Sequence, residues 1–191
     1  MPPRVARLSH VIGVDDAPFA RDHRGDVPVI GAVFAGLRLE GVLSTRARRD
    51  GRNATPAIAA MIRGSRFYAQ AQVVLLQGIA VAGFNVVDLA ALRDALALPV
   101  VVVARRLPDL DAIRDALLSR VRGGRRKWAL IERAGPMEPV GGVYVQRAGI
   151  SLEDTTALLA RLAVHGHLPE PLRAAHLIAG GLTTGESRGR A

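Results

Sequence analysis

The chain has 191 residues, 49% of them hydrophobic and 23% charged, a length and composition that fit one globular domain and exclude wholesale disorder. Cysteine is absent, which removes disulfides, thiolate metal sites and cysteine nucleophiles. Arg and Lys total 26 against 17 Asp and Glu, a net charge of +9, and Lys127 is the only lysine. Arginine forks match phosphate geometry, so a polyanion is a natural partner, although a GC-rich coding sequence inflates arginine whatever the function. No run reaches the ~18 apolar residues of a membrane span. Met1 to His10 lacks the apolar core and cleavage site of a signal peptide. The expectation is a soluble cytoplasmic protein with no membrane partner.

Strands and helices alternate. Val11 to Val14 reads as a short buried strand ending in Asp15 and Asp16. Val27 to Leu37 and Leu39 to Thr45 read as a hairpin bending near Gly36. Asp50-Gly51 and Asn53 signal a turn and a helix start, with Thr55 as cap and Pro56 at the first helical position. Val73 to Leu76 is a strand running into Gln77-Gly78, and Ala82 to Asn85 reads as a loop. An amphipathic helix spans Asp88 to Leu96. Val100 to Val103 is the most strand-like segment, and Pro108-Asp109 opens a helix to about Val121. Gly123 to Lys127 reads as a basic turn, Ala134 to Gly142 as a Gly/Pro-rich connection, and Val143 to Val145 as a strand. Ser151 caps the next helix, with Asp154 in the acidic place of a capping box. Leu172 to Ala179 reads as a short helix, followed by a mobile basic tail from about residue 180 that includes Arg188 and Arg190. One α/β domain over residues 1–191 is the expected organisation.

Acids after a strand lie where α/β folds gather ligands. Side chains alternate along a strand, so one of Asp15 and Asp16 should face the active side of the sheet and the other away. Oxygen ligands of this kind suit Mg²⁺ or Mn²⁺; the plain alternative is a turn aspartate bonding its own backbone. Asp50 and Asp88 are further acids, each with helix capping as its bland role. His176 is a lone histidine on a Leu- and Ala-rich helix, a pattern usual for a core residue. The His165 and His167 pair has no third ligand nearby to make a zinc site. Glu170 and Arg173 are spaced to pair at a helix start. The P-loop, dinucleotide, nucleophile-elbow and zinc-protease motifs are all missing.

Read together, these segments resemble the endonuclease V group of the ribonuclease H-like fold. The strand Val11 to Asp15, the stretch Leu75 to Ile79, the strand Leu98 to Ala104 and the run from Gly149 to His176 carry the likeness. The chain is more similar still to a sister family, endonuclease dU. Its marks are Gly13 to Phe19, Asp50 to Thr55, Gly78 to Asp88, the Pro169-Glu170-Pro171-Leu172-Arg173 run with His176, and Gly185 to Gly189.

The resemblance implies a single ribonuclease H-like α/β domain with a central mixed sheet flanked by helices. It also implies a Mg²⁺- or Mn²⁺-dependent endonuclease acting on DNA with a deaminated base, deoxyuridine by name. Asp15 would be the central ligand, with Asp16 and Asp50 completing the metal set. Gln77 stands where endonuclease V has its second catalytic Asp, and would hold water or a phosphate oxygen. His176 replaces an acid on the last helix and would orient water or assist the leaving group. Phe84 would stack on a flipped base and Asn85 bond its edge. Arg46, Arg48, Arg49, Arg52, Arg125 and Arg126 would track phosphates, joined by Arg173. The alternative is a non-catalytic binder of modified or structured nucleic acid that keeps the fold. RNA in place of DNA, the lesion read and the oligomeric state stay open.

Overall fold

Apolar runs alternating with amphipathic ones build nine strands and six α-helices among the described residues. The structure is a computed structural model and describes residues 8–187. In chain order these elements are β1 (His10–Asp16), β2 (Asp26–Ala35), β3 (Arg38–Arg48), α1 (Ala54–Arg63), β4 (Val73–Gln77), β5 (Ala80–Val81), β6 (Asn85–Val86) and α2 (Leu89–Leu96). They continue with β7 (Val100–Ala104), α3 (Leu110–Arg120), α4 (Gly124–Arg133), β8 (Glu138–Val140), β9 (Val143–Ala148), α5 (Leu152–Leu162) and α6 (Glu170–Thr184). Seven strands form one mixed sheet in the order β3-β2-β1-β4-β7-β9-β8, and β5 and β6 form a separate ribbon. The three central strands β1, β4 and β7 are parallel, with antiparallel strands added on both sides. This is the ribonuclease H-like mixed sheet that the resemblance implies, and it brings the C-terminal ends of three strands to one edge, where ligands bind in such folds.

Each face of the sheet is read from strand alternation. Ile12 and Val14 join a core with Ile58 and Ile62 of α1 and Leu89, Leu92 and Leu96 of α2. Val11, Val73, Leu75, Val101 and Val103 instead join Leu158, Leu159 and Leu162 of α5 and Leu172 of α6. Burying each Leu or Ile contributes about 1.5–3 kcal/mol, so both faces are firmly covered. At Gly13 the sheet and a helix approach closely. A Cβ there would lie 2.3 Å from the Pro171 carbonyl carbon and 2.7 Å from the Leu172 nitrogen, so only glycine lets the start of α6 dock on β1.

The caps follow local chemistry. Asp88, Asp109 and Ser151 each accept a hydrogen bond from the backbone three residues on, at 3.1, 2.9 and 3.0 Å. Several local expectations change. Thr55 does not cap α1; its hydroxyl accepts from the Asp88 backbone N–H at 2.9 Å, and the N-cap position is Asn53. The basic turn expected at residues 123–127 is instead the start of α4. Its N-terminus is secured because Gly124 packs so tightly on the Leu117 carbonyl that a Cβ would overlap it at 1.7 Å. The short helix expected to end at Ala179 runs on to Thr184 with Gly185 as its left-handed cap. The tail expected from residue 180 is therefore helical at first, and Arg188 and Arg190 lie outside the described residues. Among the described residues, no helix is long and apolar enough to cross a membrane.

Candidate active site

Asp15 is the last residue but one of β1 and lies on the face of Val11 and Gly13, the side covered by α6. It is 5% exposed. Its Oδ2 lies 2.9 Å from Nδ1 of His176, one residue beyond Ala175 on α6. Its Oδ1 accepts from the Asp16 backbone N–H at 2.9 Å. The β1–β4 register pairs Val14 with Leu76, so Gln77 stands beside Asp15 at the end of the neighbouring strand. Gln77 shares the face of Val73 and Leu75. Its Oε1 is a buried acceptor with no hydrogen-bond partner among the described residues, and such atoms are uncommon because desolvation without a partner is costly.

Electrostatics tie these groups together. Burial pushes the Asp15 carboxyl upward, against the pull of His176 and of Arg105 just beyond β7. The His176 imidazole is raised by its hydrogen bond to Asp15, which outweighs burial. Burial first, and then the adjacent charge of Asp15, pushes Asp16 up to about 6. One face thus holds a carboxylate, an amide oxygen without a partner and an imidazole that favours its proton.

Asp16 and Asp50 do different work. Asp16 falls on the α1/α2 face by strand alternation, and its Oδ2 accepts from the Ala82 N–H at 2.8 Å. Asp50 accepts at Oδ1 from the Phe84 N–H at 2.8 Å and donates its own N–H to the Ala82 carbonyl at 2.9 Å. The turn between them is left-handed at Ala82 (φ 50°) and Gly83 (φ 80°), as is Asp50 itself (φ 50°). A Cβ on Gly83 would lie 2.5 Å from Asp50 Oδ1. The two acids therefore clamp the 82–84 turn. This revises the expected metal set: Asp15, Asp16 and Asp50 do not share a cage, and among the described residues no three His, Cys, Asp or Glu side chains converge on one point. The physical reason is the pleat, which sends Asp16 to the opposite face, and the backbone bonds that hold Asp50.

Asn85 is a second correction. It is 0% exposed. Its Nδ2 donates to the Arg48 carbonyl and to Asn53 Oδ1, both at 2.8 Å, and its Oδ1 accepts from Ala54 N–H at 3.0 Å. It joins β6, the end of β3 and the start of α1, and has no edge to offer a base. Phe84 is half-buried against an apolar cluster that includes Ile79 and Ile131. Arg173 is held by Glu170 through Nε and Nη2, at 2.9 and 2.7 Å, the spaced pair expected at the helix start, so most of its fork is committed away from phosphate.

Other arginines do face solvent. Arg21, His23, Arg24, Arg48, Arg49 and Asp50 line an open cleft of about 470 Å³. Within it Arg49 donates to the carbonyl of Arg21 at 2.6 Å and stacks 5.5 Å from the Phe19 ring, pinning the β1–β2 loop. Arg52, Arg125 and Arg126 are exposed, the last two on α4. Lys127, next in line on α4, is buried, although its place in a run of glycines and arginines suggests an exposed turn. Its single occurrence in an arginine-rich chain was the available signal.

Residues 7–183 match the model of the family described as endonuclease dU. The chain belongs to the endonuclease dU family. It is 57% identical over 190 residues to a UPF0215 protein of Deinococcus radiodurans, covering all of this chain and 97% of that one. Among solved structures, a protein from Archaeoglobus fulgidus matches with a TM-score of 0.84 at 32% identity, over 91% of this chain and 97% of that one. Endonuclease V of Ciona intestinalis, solved in complex with DNA containing an inosine followed by a ribo-adenosine, matches with a TM-score of 0.56 at 12% identity. That match covers 89% of this chain and 84% of that one. The endonuclease dU family and the endonuclease V fold support a nuclease acting on nucleic acid.

Proposed function

We propose that this member of the endonuclease dU family hydrolyses a phosphodiester bond in DNA carrying a deaminated base, deoxyuridine foremost, with Mg²⁺ or Mn²⁺. The observation that carries the reading is the convergence of Asp15, Gln77 and His176 on one face at the carboxyl ends of β1 and β4. The donor set fits one divalent cation: the Asp15 carboxylate retains lone pairs beyond its two bonds, and the unpartnered Gln77 Oε1 is the oxygen ligand such ions take. Bound there, the ion would act as a Lewis acid and lower the pKa of a water.

The chain's own residues supply the rest. Asp15 orients the His176 ring through Nδ1 and keeps its proton, leaving Nε2 to hand a proton to the departing oxygen. Arg105 adds positive charge on the same edge. The cleft around Arg21, Arg24 and Arg48 would follow the backbone. A flipped base would enter the apolar pocket of about 240 Å³ beside Gly78, whose lining includes Ile79, Ile113, Ile131 and the amide of Gln146. Phe84, in the same cluster as Ile79 and Ile131, would support it.

Cleavage of labelled oligonucleotides carrying uracil, hypoxanthine or no lesion tests this reading, with Mg²⁺, Mn²⁺ or chelator. Metal-dependent cutting of the uracil strand that disappears in Asp15→Ala is the expected result. One observation favours a second reading, a binder without catalysis: Gln77 is neutral where a second acid would strengthen a cation site. Tight binding with no cutting of any strand would select it.

A further inference from the structure

Lys127 is 2% exposed, and its Nζ donates to the backbone carbonyl of Asp50. That bond uses one of the three ammonium donors. Among the described residues, no carboxylate lies within the 4.0 Å of an ion pair from Lys127, Arg52 or Arg126. These three cations line one pocket of about 250 Å³ between α4 and the segment 51–56, which leads into the first turn of α1. Asp88 is its one acid, and it is engaged elsewhere: Oδ1 caps α2 at Ala91, and Oδ2 lies 3.4 Å from Arg133. Burying an ammonium without a counter-charge is costly, and burial accordingly pulls the Lys127 pKa down in spite of Asp50 nearby. The pocket therefore gathers three cations around a single carboxylate that is bonded elsewhere, which leaves a surplus of positive charge.

We propose that the Lys127, Arg52 and Arg126 pocket is a phosphate-binding subsite. Two arginine forks and a lysine point charge are the donor types phosphate recognition uses, and a bound phosphate would give Lys127 a counter-charge to offset the hydration that burial removes. Because Nζ is bonded to Asp50, and Asp50 to the Phe84 N–H, the subsite stands two hydrogen bonds from the 82–84 turn. The phosphate has two sources, a nucleic-acid backbone or a free phosphate group. The first rests on the nuclease reading above; the second does not.

Two measurements on the full chain separate these sources. Calorimetry at low ionic strength follows binding of inorganic phosphate, and fluorescence anisotropy follows binding of a labelled duplex as KCl rises. The variants are the double substitution Arg52→Ala/Arg126→Ala, whose side chains are exposed, and Lys127→Met. Arg120→Ala/Arg122→Ala serves as a control of equal charge loss.

A fall of about one in the log–log salt slope of duplex binding, with about tenfold weaker affinity, in the first pair but not the control assigns the pocket a backbone phosphate. Loss of inorganic phosphate uptake with an unchanged slope assigns it a free phosphate group. Lys127→Met, read by the same two measurements once its urea midpoint shows a folded chain, should reproduce whichever result appears. The proposal is overturned if the wild type takes up no phosphate and all duplex slopes agree, or if the control matches the pocket variants. A wild type that cuts no strand while the pocket variants still shift these readouts would sink the nuclease reading and leave the subsite standing.

Discussion

Replacing Asp16 with Asn isolates the electrostatic cost of this site. The folded carboxyl titrates at about 6 against an ordinary 3.8, chiefly through burial and then through Asp15. Between those two values the folded chain keeps a proton that the unfolded chain releases. Stability therefore falls as pH rises through the window, and the loss is complete above about 6. At about 1.4 kcal/mol per pH unit, the interval from 3.8 to about 6 corresponds to about 3 kcal/mol. Asn keeps an oxygen for the Ala82 N–H but carries no charge. The Asp16→Asn variant should match the wild type near pH 4 and exceed it by up to about 3 kcal/mol at pH 7–8. Relief of the like charge on Asp15 is part of that sum, since neighbouring carboxyls titrate together. Urea unfolding with chelator present, from pH 4 to 8, measures the difference directly. A difference that stays flat across this range would refute the reasoning, because a packing or hydrogen-bond change carries no such pH dependence.

Further outcomes follow from the same geometry. Gly13→Ala forces a Cβ into the Pro171–Leu172 backbone and should cost about 3 kcal/mol or more, seen as a lower urea midpoint; an unchanged midpoint would mean that β1 and α6 are not in contact. Asn85→Ala strands the Ala54 N–H and the Arg48 carbonyl and should cost about 2–4 kcal/mol. A surface role would instead leave stability unchanged and weaken only DNA binding. Gln77→Glu places a charge beside Asp15 and should tighten Mn²⁺ binding about tenfold, read by calorimetry; equal or weaker affinity would exclude this position as a ligand.

Much of the architecture is legible in the sequence because its causes are local. Val73 to Leu76 and Val100 to Val103 are strands by composition, Gly36 turns the hairpin with φ 61°, and Ser151, Asp109 and Asp88 cap helices through bonds spanning three residues. Alternation likewise predicts that Asp15 and Asp16 part company. The α4 helix was hidden because its start, Gly123 to Lys127, carries turn glycines and charges, and a tight contact with the Leu117 carbonyl decides its place.

The site depends on longer reach. Asp15 and His176 are 161 positions apart and Lys127 and Asp50 are 77 apart, so no spacing rule joins them. Asn85 reads as a loop residue until β3, α1 and β6 close around its amide. The sequence alone determines which residues carry charge, hydrogen bonds and strand or helix preference, since those properties belong to a residue and its near neighbours. Only the tertiary structure decides which acid faces His176, which acids hold a turn and which cations share a pocket, because burial and partnership arise from segments distant in the chain.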